Sequence, residues 1–513
     1  MNLTPEQHEA ATSKGWAVQI ITALAGTGKT TTAAARIQDR IANGIDPADI
    51  IAITFTRAGG KALQDKIEAK LGWAGTLHAF CMSRMGIDQA SLLTDDEAEE
   101  AIKDELSKLG LKGISHKQAA AALSDPGLSF GNASLFVRAF ENTMKRTGRT
   151  TFDLILRSFI KDGYAEARPH PSVLLVDEAQ DTAPIDAAIY AALEPDELIV
   201  VGDTNQAIYG FRGATDEWMS QQDGDGAHYP LTATFRCSQA VTEIANGIIH
   251  ERIAAGRSQP MQTTAIAPEG EADYRGFNTE RAEEDHLLEW ASQQPGSVAI
   301  LARNNHTVDR IRRAFESAGI RIQPQLRERS SKSTDLATAL LRGIWDGLPL
   351  SAIKQHHPSP QIYMNRWGSD GTLRRHLLEL ETPAQRMAAC GAPGDVLAMV
   401  GYAATEQEAL IAVTQGRELE DTTGIHIDTI HASKGREFDS VAIAAADQRM
   451  DTGDQARNLC YVAATRAKAS LLATFSHITI DPWSTKHQAA AASRTISAAF
   501  HLAGVDLHGP SGE

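Results

Sequence analysis

Short apolar runs, each broken at its far end by a polar, glycine-bearing or acidic turn, restrict the fold of this chain more than any other feature. They are Val18–Thr22, Ile50–Thr54, Val173–Val176, Leu198–Val201, Val298–Leu301 and Val441–Ala444. A strand with one wet face alternates apolar and polar residues, whereas these runs are near-continuous, as strands covered on both faces are. Segments of helical pattern, such as Thr30–Ile41 and Ala58–Lys70, lie between them. The expected fold class is α/β, with parallel sheets and crossover helices. Functional side chains should then collect beyond the carboxyl ends of the strands.

The strand pattern lapses twice, at 85–168 and at 325–420. The first lapse carries helical patches at Asp95–Leu109 and Leu135–Lys145, and the second is helical in pattern with a proline- and histidine-bearing stretch at His356–Pro360. Structureless loops of that length are uncommon inside a compact domain, so both lapses read as inserted helical subdomains. A chain of 513 residues accommodates about 2–4 domains. The end, 501–513, reads as a tail, disordered from His508 onward.

Composition narrows the function classes. The net charge of −16 excludes a protein that coats nucleic acid with a broad cationic surface, but leaves room for a local basic cleft. No run of ~18 apolar residues and no basic-then-apolar start is present, so a cytoplasmic protein without a membrane partner is expected. Cys81, Cys237, Cys390 and Cys460 are far apart and form no C-x-x-C pair, which suits reduced thiols in cores.

The run Val18–Thr22 leads into Ala23-Leu24-Ala25-Gly26-Thr27-Gly28-Lys29-Thr30 and then a helical segment. This departs from the phosphate-loop pattern G-x-x-x-x-G-K-[ST] only at Ala23. Backbone N–H groups of Ala25, Gly26, Thr27, Gly28, Lys29, Thr30 and Thr31 can converge on phosphate oxygens at a helix start. Lys29 supplies charge for the β- and γ-phosphates of ATP, and Thr30 a hydroxyl for Mg²⁺. A glycine turn joining strand to helix has the same local form, so a second element is needed. It comes at Asp177-Glu178-Ala179-Gln180-Asp181, which ends the run Val173–Val176. There Asp177 would orient Mg²⁺ and Glu178 would act on the attacking water.

The segment Val201-Gly202-Asp203-Thr204-Asn205-Gln206-Ala207-Ile208-Tyr209-Gly210-Phe211-Arg212-Gly213-Ala214 closely resembles the third motif of the UvrD/Rep/PcrA helicases of superfamily 1. Other segments resemble that family's motifs in its order. Leu3–Ala10 is similar to the adenine-reading glutamine segment, with Gln7 as reader. Ile53-Thr54-Phe55-Thr56-Arg57, with Arg57 for the usual Asn, and Gly75-Thr76-Leu77-His78-Ala79-Phe80 resemble two DNA-contacting motifs. Thr234-Phe235-Arg236 resembles the fourth motif, with Phe for the usual Tyr. Asp428-Thr429-Ile430-His431-Ala432-Ser433-Lys434-Gly435-Arg436-Glu437-Phe438 resembles the fifth, and Leu459-Cys460-Tyr461-Val462-Ala463-Ala464-Thr465-Arg466-Ala467 the sixth.

The resemblance implies two RecA-like domains with ATP between them, the first at 1–84 and 169–235 and the second at 236–324 and 421–500. Each is interrupted by a helical insertion, at 85–168 and, reduced, at 325–420. It implies Arg236 and Arg466 as arginine fingers, since a fixed guanidinium can meet charge developing on the γ-phosphate. Gln206 would sense that phosphate, Phe235 would stack on adenine and Glu437 would reach ribose or phosphates. Phe55, Tyr209 and Phe211 become platforms for unstacked bases, with core packing as the alternative. Thr56, Thr76, His78, Arg212, Thr429 and His431 become partners of the nucleic-acid backbone. The implied activity is ATP-dependent 3′→5′ translocation on single-stranded DNA and unwinding at junctions with duplex. Two alternatives remain: a motor that unwinds poorly alone beside a nuclease, repair or defence partner, and a DNA-binding module gated by nucleotide.

Overall fold

The computed structural model describes residues 3–15, 17–88, 91–93, 95–111, 113–124, 131–163, 170–210, 213–214, 217–222, 226–254, 263–323, 424–447, 450, 455–480, 487–489 and 493–508. The chain divides into two units, one of Met1–Leu92, Ile102–Ala314 and Ile427–Glu513, the other of Leu93–Ala101 and Phe315–His426. In the second unit, Ile322 bridges Ile425 and Gln323 Oε1 accepts from His426 Nδ1 at 3.2 Å. The expected insertion at 325–420, with His356–Pro360 and Cys390, lies outside the described residues, as do Phe211 and Arg212.

Among the described residues, the first unit holds two large sheets and a two-stranded one. Strands β1 (Val18–Ala23), β2 (Ile50–Ile53), β3 (Trp73–Gly75), β4 (Val173–Asp177), β5 (Glu197–Gly202) and β6 (Ala227–Leu231) lie in the order β3-β2-β4-β5-β1-β6. Every neighbouring pair is parallel. Along β4, Val173 and Leu175 join a core with Ile21, Ile50, Ile199 and, from helix Lys29–Ala42, Ala33 and Ile37. Leu174 and Val176 face the opposite core, with Ile20, Ile51, Val200, Phe80, Ile155 and Phe159. Both faces are dry, which is the physical reason these runs do not alternate. Strand β6 pairs with β1 alone, an edge position that tolerates Pro230.

After the short pair β7 (Ala233–Thr234) and β8 (Thr264–Ala265), the second sheet is built from β9 (Glu271–Thr279), β10 (Val298–Ala302), β11 (His426–Thr429), β12 (Phe438–Ile443), β13 (Ala467–Ile480), β14 (His487–Ala489) and β15 (Leu507–His508). Its order is β11-β10-β12-β13-β9-β15, with β14 antiparallel to β13. Leu301, Val441, Ile443 and Leu471 pack there with Ile244 and Ile248 of helix Gln239–Ala254 and with Leu459 and Val462 of helix Ala456–Ala464. Cys81, Cys237 and Cys460 are buried, and among the described residues they form no disulfide.

Several sequence expectations shift. The helix expected over Ala58–Lys70 runs from Arg57 to Gln64, because the Gln64 amide turns back onto Ala69 O and Leu71 N and lets Ile67 and Leu71 fold into the core. The first lapse is helical, with Asp95–Leu109, His116–Leu123, Gly131–Thr147 and Phe152–Lys161. The last of these gives Ile155, Leu156 and Phe159 to the core of the first sheet. Residues 501–508, read as tail, finish helix Arg494–Leu502 and pair with β9 through Leu507 and His508. Among the described residues, no helix is long and apolar enough to cross a membrane.

Two glycines bring helix Arg57–Gln64 onto β3. A Cβ on Gly60 would lie 2.7 Å from the Gly75 Cα and 3.0 Å from its N, both backbone atoms that cannot yield. Gly60→Ala should therefore lower stability by about 1–3 kcal/mol through overpacking. Thermal unfolding checks this, and an unchanged Tm would mean that the helix rides outward without cost.

Candidate active site

The glycine loop follows β1 and is shaped by two left-handed residues, Gly26 (φ 75°) and Gly28 (φ 83°). A Cβ on Gly26 would meet Arg236 Cβ and Thr234 Oγ1 at 2.5 Å, and one on Gly28 would meet Gln7 Nε2 at 2.6 Å. Glycine is thus required at both places for conformation and for space. Thr27 Oγ1 donates to Leu24 O at 2.8 Å, closing the turn. Ala25 N donates to the hydroxyl of Tyr461 at 3.2 Å, a bond from the loop to a helix of the second sheet. Gln7 is buried in the capping box of helix Pro5–Thr12 and donates from Nε2 to Thr27 O at 3.0 Å. It braces the loop and does not line the cleft in front of it.

That cleft has a volume of about 790 Å³. Lys29, Thr30, Thr31, Asp177, Glu178 and Gln206 line it from the first sheet, and Phe235, Arg236, Glu437 and Arg466 from the other side. Parallel strands explain the gathering: β1, β4 and β5 point their carboxyl ends to one edge, so the turns after them meet there.

The carboxylates differ in environment. Burial, then the neighbouring Glu178 charge, pushes Asp177 above the usual carboxylate range. Burial alone would do the same to Glu178, but Lys29, Lys434, the Gln180 amide and Arg466 together hold it below that range. Lys29 Nζ stands 3.9 Å from Glu178 Oε2, and Gln180 Nε2 donates to the same oxygen at 2.6 Å. Glu178 has φ 55° and ψ 41°, a left-handed conformation that costs a non-glycine residue energy and aims this side chain into the cleft. Gln180 Oε1 accepts from Asp203 N at 2.9 Å, and Asp203 Oδ2 accepts from Gln206 Nε2 at 2.8 Å. Asp177 and the Thr30 hydroxyl form a hard-oxygen pair suited to Mg²⁺, and the carboxylate's unfavourable burial is what a cation would relieve.

On the opposing side, Arg236 Nε donates to Glu437 Oε2 at 2.5 Å and Lys468 Nζ stands 3.9 Å from Glu437 Oε1. Arg466 is 2% exposed and donates to Val462 O and Arg436 O, both at 3.0 Å, and to Gln206 Oε1 at 3.4 Å. Burial, then Arg236, lowers Arg466 to about 10, with Glu178 opposing. Phe235 is 51% exposed, so an open aromatic face borders the cleft.

Phe55 and Tyr209 also line the cleft and stack on each other, with centroids 4.8 Å apart and planes at 18°. Lys434 Nζ lies 4.8 Å from the Tyr209 centroid. Thr56 and Thr76 cap helices Arg57–Gln64 and Leu77–Met85, accepting from Gly59 N and Ala79 N, and each hydroxyl keeps its proton for an acceptor. Thr429 Oγ1 accepts from Ala432 N at 3.3 Å. His431 meets the backbone of Ile208, and burial, then Arg303, lowers its pKa. His78 stands edge-on to the half-exposed ring of Phe152 at 5.1 Å.

Sequence reasoning gave no role to Lys434, Gln180, Lys468, Phe152 or Arg303. Lys434 stood inside a quoted motif; it pairs with Asp181 and donates to Gln206 O at 2.9 Å. Phe152 carried no signal beyond its place after the helix cap Thr151.

A strand, glycine loop and helix facing a carboxylate pair at the end of β4, with β5 between the two strands, define a P-loop protein of the α/β class. A family model described as an AAA domain matches residues 7–212, and one described as a UvrD-like helicase C-terminal domain matches residues 424–474. The ATP-dependent DNA helicase UvrD1 of Mycobacterium tuberculosis is 27% identical over 385 residues, covering 62% of this chain and 49% of the relative. UvrD2 of that organism is 26% identical over 564 aligned positions, covering 91% and 78%. A probable DNA helicase II homolog of Mycoplasma pneumoniae is 24% identical over 388, covering 61% and 53%. The chain spans about half the length of the UvrD1 relatives it matches. The chain is thus similar to UvrD-like helicases in the parts that these two models match, 7–212 and 424–474.

The Lys434–Asp181 pair yields a pH-dependent prediction. Burial raises Asp181 to about 6 even with Lys434 beside it, and Asp181 Oδ1 has no hydrogen-bond partner among the described residues. A carboxyl raised above its unfolded value of ~3.9 stabilises the fold below that value, and the stabilisation is lost as pH rises through the folded pKa. Lys434→Met raises Asp181 further, so Tm should fall more at pH 8 than at pH 5, with a loss of about 3 kcal/mol at the higher pH. Equal losses at both pH values would exclude Asp181 as the titrating group.

Proposed function

We propose that the protein is an ATP-dependent 3′→5′ single-stranded DNA translocase and helicase, with ATP held between two RecA-like domains. These correspond to 1–84 with 169–235 and to 236–324 with 421–500, and 85–168 and 325–420 serve as their insertions. The observation that carries the reading is one cleft lined from both sheets by a hydrolytic set, with the stacked Phe55–Tyr209 pair on its border.

The chemistry follows from the geometry. Lys29, released from Glu178 by the β- and γ-phosphates, leaves that carboxylate more basic at the moment water must lose a proton. Water oxygen bonds to the γ-phosphorus, its proton passes to Glu178, and the bond from γ-phosphorus to the bridging oxygen breaks, leaving ADP. Thr30 and Asp177 would hold Mg²⁺, which supplies positive charge between the phosphates. Arg466 and Arg236 meet the charge that grows on the γ-phosphoryl oxygens, Arg236 once the nucleotide displaces Glu437. Phe235 offers its face to adenine, and Glu437, once displaced, is free for the ribose.

For the track, the Phe55–Tyr209 stack offers its open face, at the exposed ring of Phe55, to unstacked bases of any sequence, worth about 1–3 kcal/mol per base. Thr56, Thr76, His78 and Thr429 donate to backbone phosphates, His431 holds the Ile208 backbone next to Tyr209, and the capped helix starts at Thr56 and Thr76 add positive dipole ends. Single-stranded DNA and its junctions with duplex are the proposed partners. ATPase assays with single-stranded DNA, duplex DNA and RNA, run beside strand displacement on tailed duplexes, test this. Hydrolysis without displacement would favour a motor that depends on a nuclease, repair or defence partner.

Lys29→Ala should weaken ATP binding by about 10–100-fold, since it removes a charged phosphate ligand. Glu178→Gln should retain binding and lose at least about 100-fold in turnover, since it removes the base. Equilibrium binding of a fluorescent ATP analogue and steady-state turnover separate the two, and normal hydrolysis by Glu178→Gln would remove it from the base role.

Direction reflects which domain grips the strand more tightly as the cleft closes, a difference between two states of the same contacts. The H-x-x-K-G-x-E form at His431–Glu437 resembles that of the UvrD-like branch, and the 3′→5′ direction is taken from that resemblance. Streptavidin on a biotin at the 5′ end of an oligonucleotide should be cleared faster with ATP at low salt, where phosphate contacts hold. Clearance of only the 3′ block would reverse the assigned direction.

A further inference from the structure

The segment from Thr204 to Gly210 joins the cleft to the base platform, with Gln206 near its start and Tyr209 near its end. Covalently it follows β5 of the first sheet, yet side chains around the second sheet hold its backbone. Asn458 Nδ2 donates to Thr204 O at 3.2 Å and to Ala207 O at 2.8 Å. Lys434 Nζ donates to Gln206 O at 2.9 Å, and Gln455 Oε1 accepts from Gly210 N at 3.0 Å. Between these anchors Ile208 is fully buried in the core of the second sheet. Tyr209 is thus fastened on both flanks by groups that belong to the other side of the cleft.

Two of the anchors, Asn458 and Gln455, do not line the cleft. Asn458 is 6% exposed and uses its amide N–H groups on two carbonyls three residues apart, which fixes the turn between them. Gln455 fits for a steric reason as well: a Cβ on Gly210 would lie 2.4 Å from Gln455 Nε2 and 2.9 Å from Cδ. Only glycine admits the amide at that distance. Any side chain at 210 would push the glutamine away and break its bond to Gly210 N.

We propose that Asn458 and Gln455 are positioning residues that fix Tyr209 against Phe55 relative to the second sheet, so that a shift of the second sheet on nucleotide turnover is passed to the base platform. The inference deepens the translocase reading and rests on it. Neither residue touches phosphate or base. Their loss should uncouple DNA from hydrolysis and leave hydrolysis itself in place.

The test measures ATPase with and without oligo-dT, the oligo-dT concentration giving half-maximal stimulation, and thermal unfolding, for wild type, Gln455→Ala, Gly210→Ala, their double variant and Asn458→Asp. Gln455→Ala and Gly210→Ala should each lower the ratio of stimulated to basal turnover by about three- to tenfold, with basal turnover and Tm near wild type. The double variant should be no worse than either single one, because both remove the same contact. Asn458→Asp keeps the shape and loses the donors, so its ratio should fall at least as far. Wild-type ratios in the single variants, additive losses in the double variant, or parallel falls in basal and stimulated turnover would each overturn the proposal. If no oligonucleotide stimulates wild type, the translocase reading itself fails, and that control separates the two failures.

Discussion

The ammonium of Lys434 meets three groups at once: the carboxylate of Asp181, the carbonyl of Gln206 and the face of Tyr209. Asp181 follows Glu178 by three residues, and Gln206 and Tyr209 lie on the segment after β5. One charge from the second sheet therefore ties the turn after β4, Gln206 and the stacked ring of Tyr209 together. Such a pair is costly to desolvate and stable only when both partners stay in place. It specifies an arrangement more than it adds net stability.

The remaining charges of the cleft extend the same logic. Asp177, Glu178, Asp181 and Asp203 stand among Lys29, Lys434, Arg236 and Arg466, and the ionisation of the four carboxylates and of Arg466 depends on burial and on these neighbours. Hydrogen bonds run from Glu178 through Gln180, Asp203 and Gln206 to Arg466, linking the carboxylate to the guanidinium across the cleft. Strain is local as well: Glu178 takes a left-handed backbone, and Gly26 and Gly28 do so in the facing loop. These conformations persist because the parallel strands beneath them are buried on both faces and cannot adjust.

Much of this was legible in the sequence because it is local along the chain. A run buried on both faces must be continuously apolar, so β1, β2, β4, β5, β10 and β12 declared themselves. The phosphate loop and the Asp177–Glu178 pair were readable because backbone geometry and carboxylate placement are set within a few residues. Edge and mixed-polarity strands were not: β3 is short, β6 contains Pro230, and β9 and β13 carry polar residues among apolar ones. Helix Arg57–Gln64 stops early because of a side-chain turn that leaves no mark in periodicity.

What the sequence by itself determined, then, is the class of fold, the strand ends and the residue types gathered at them. Which residue meets which was decided only by tertiary structure. Lys434 and Asp181 are 253 positions apart, Gln455 and Gly210 are 245, and Ala25 and Tyr461 are 436. The stacking of Phe55 on Tyr209, the burial of Ile208 in the second core and the turning of Gln7 from the cleft toward Thr27 belong to the same class. Local patterns record what a segment buries and how its backbone turns. They hold no trace of a partner brought close by packing, because contact distance and burial exist only once the sheets have closed over their cores.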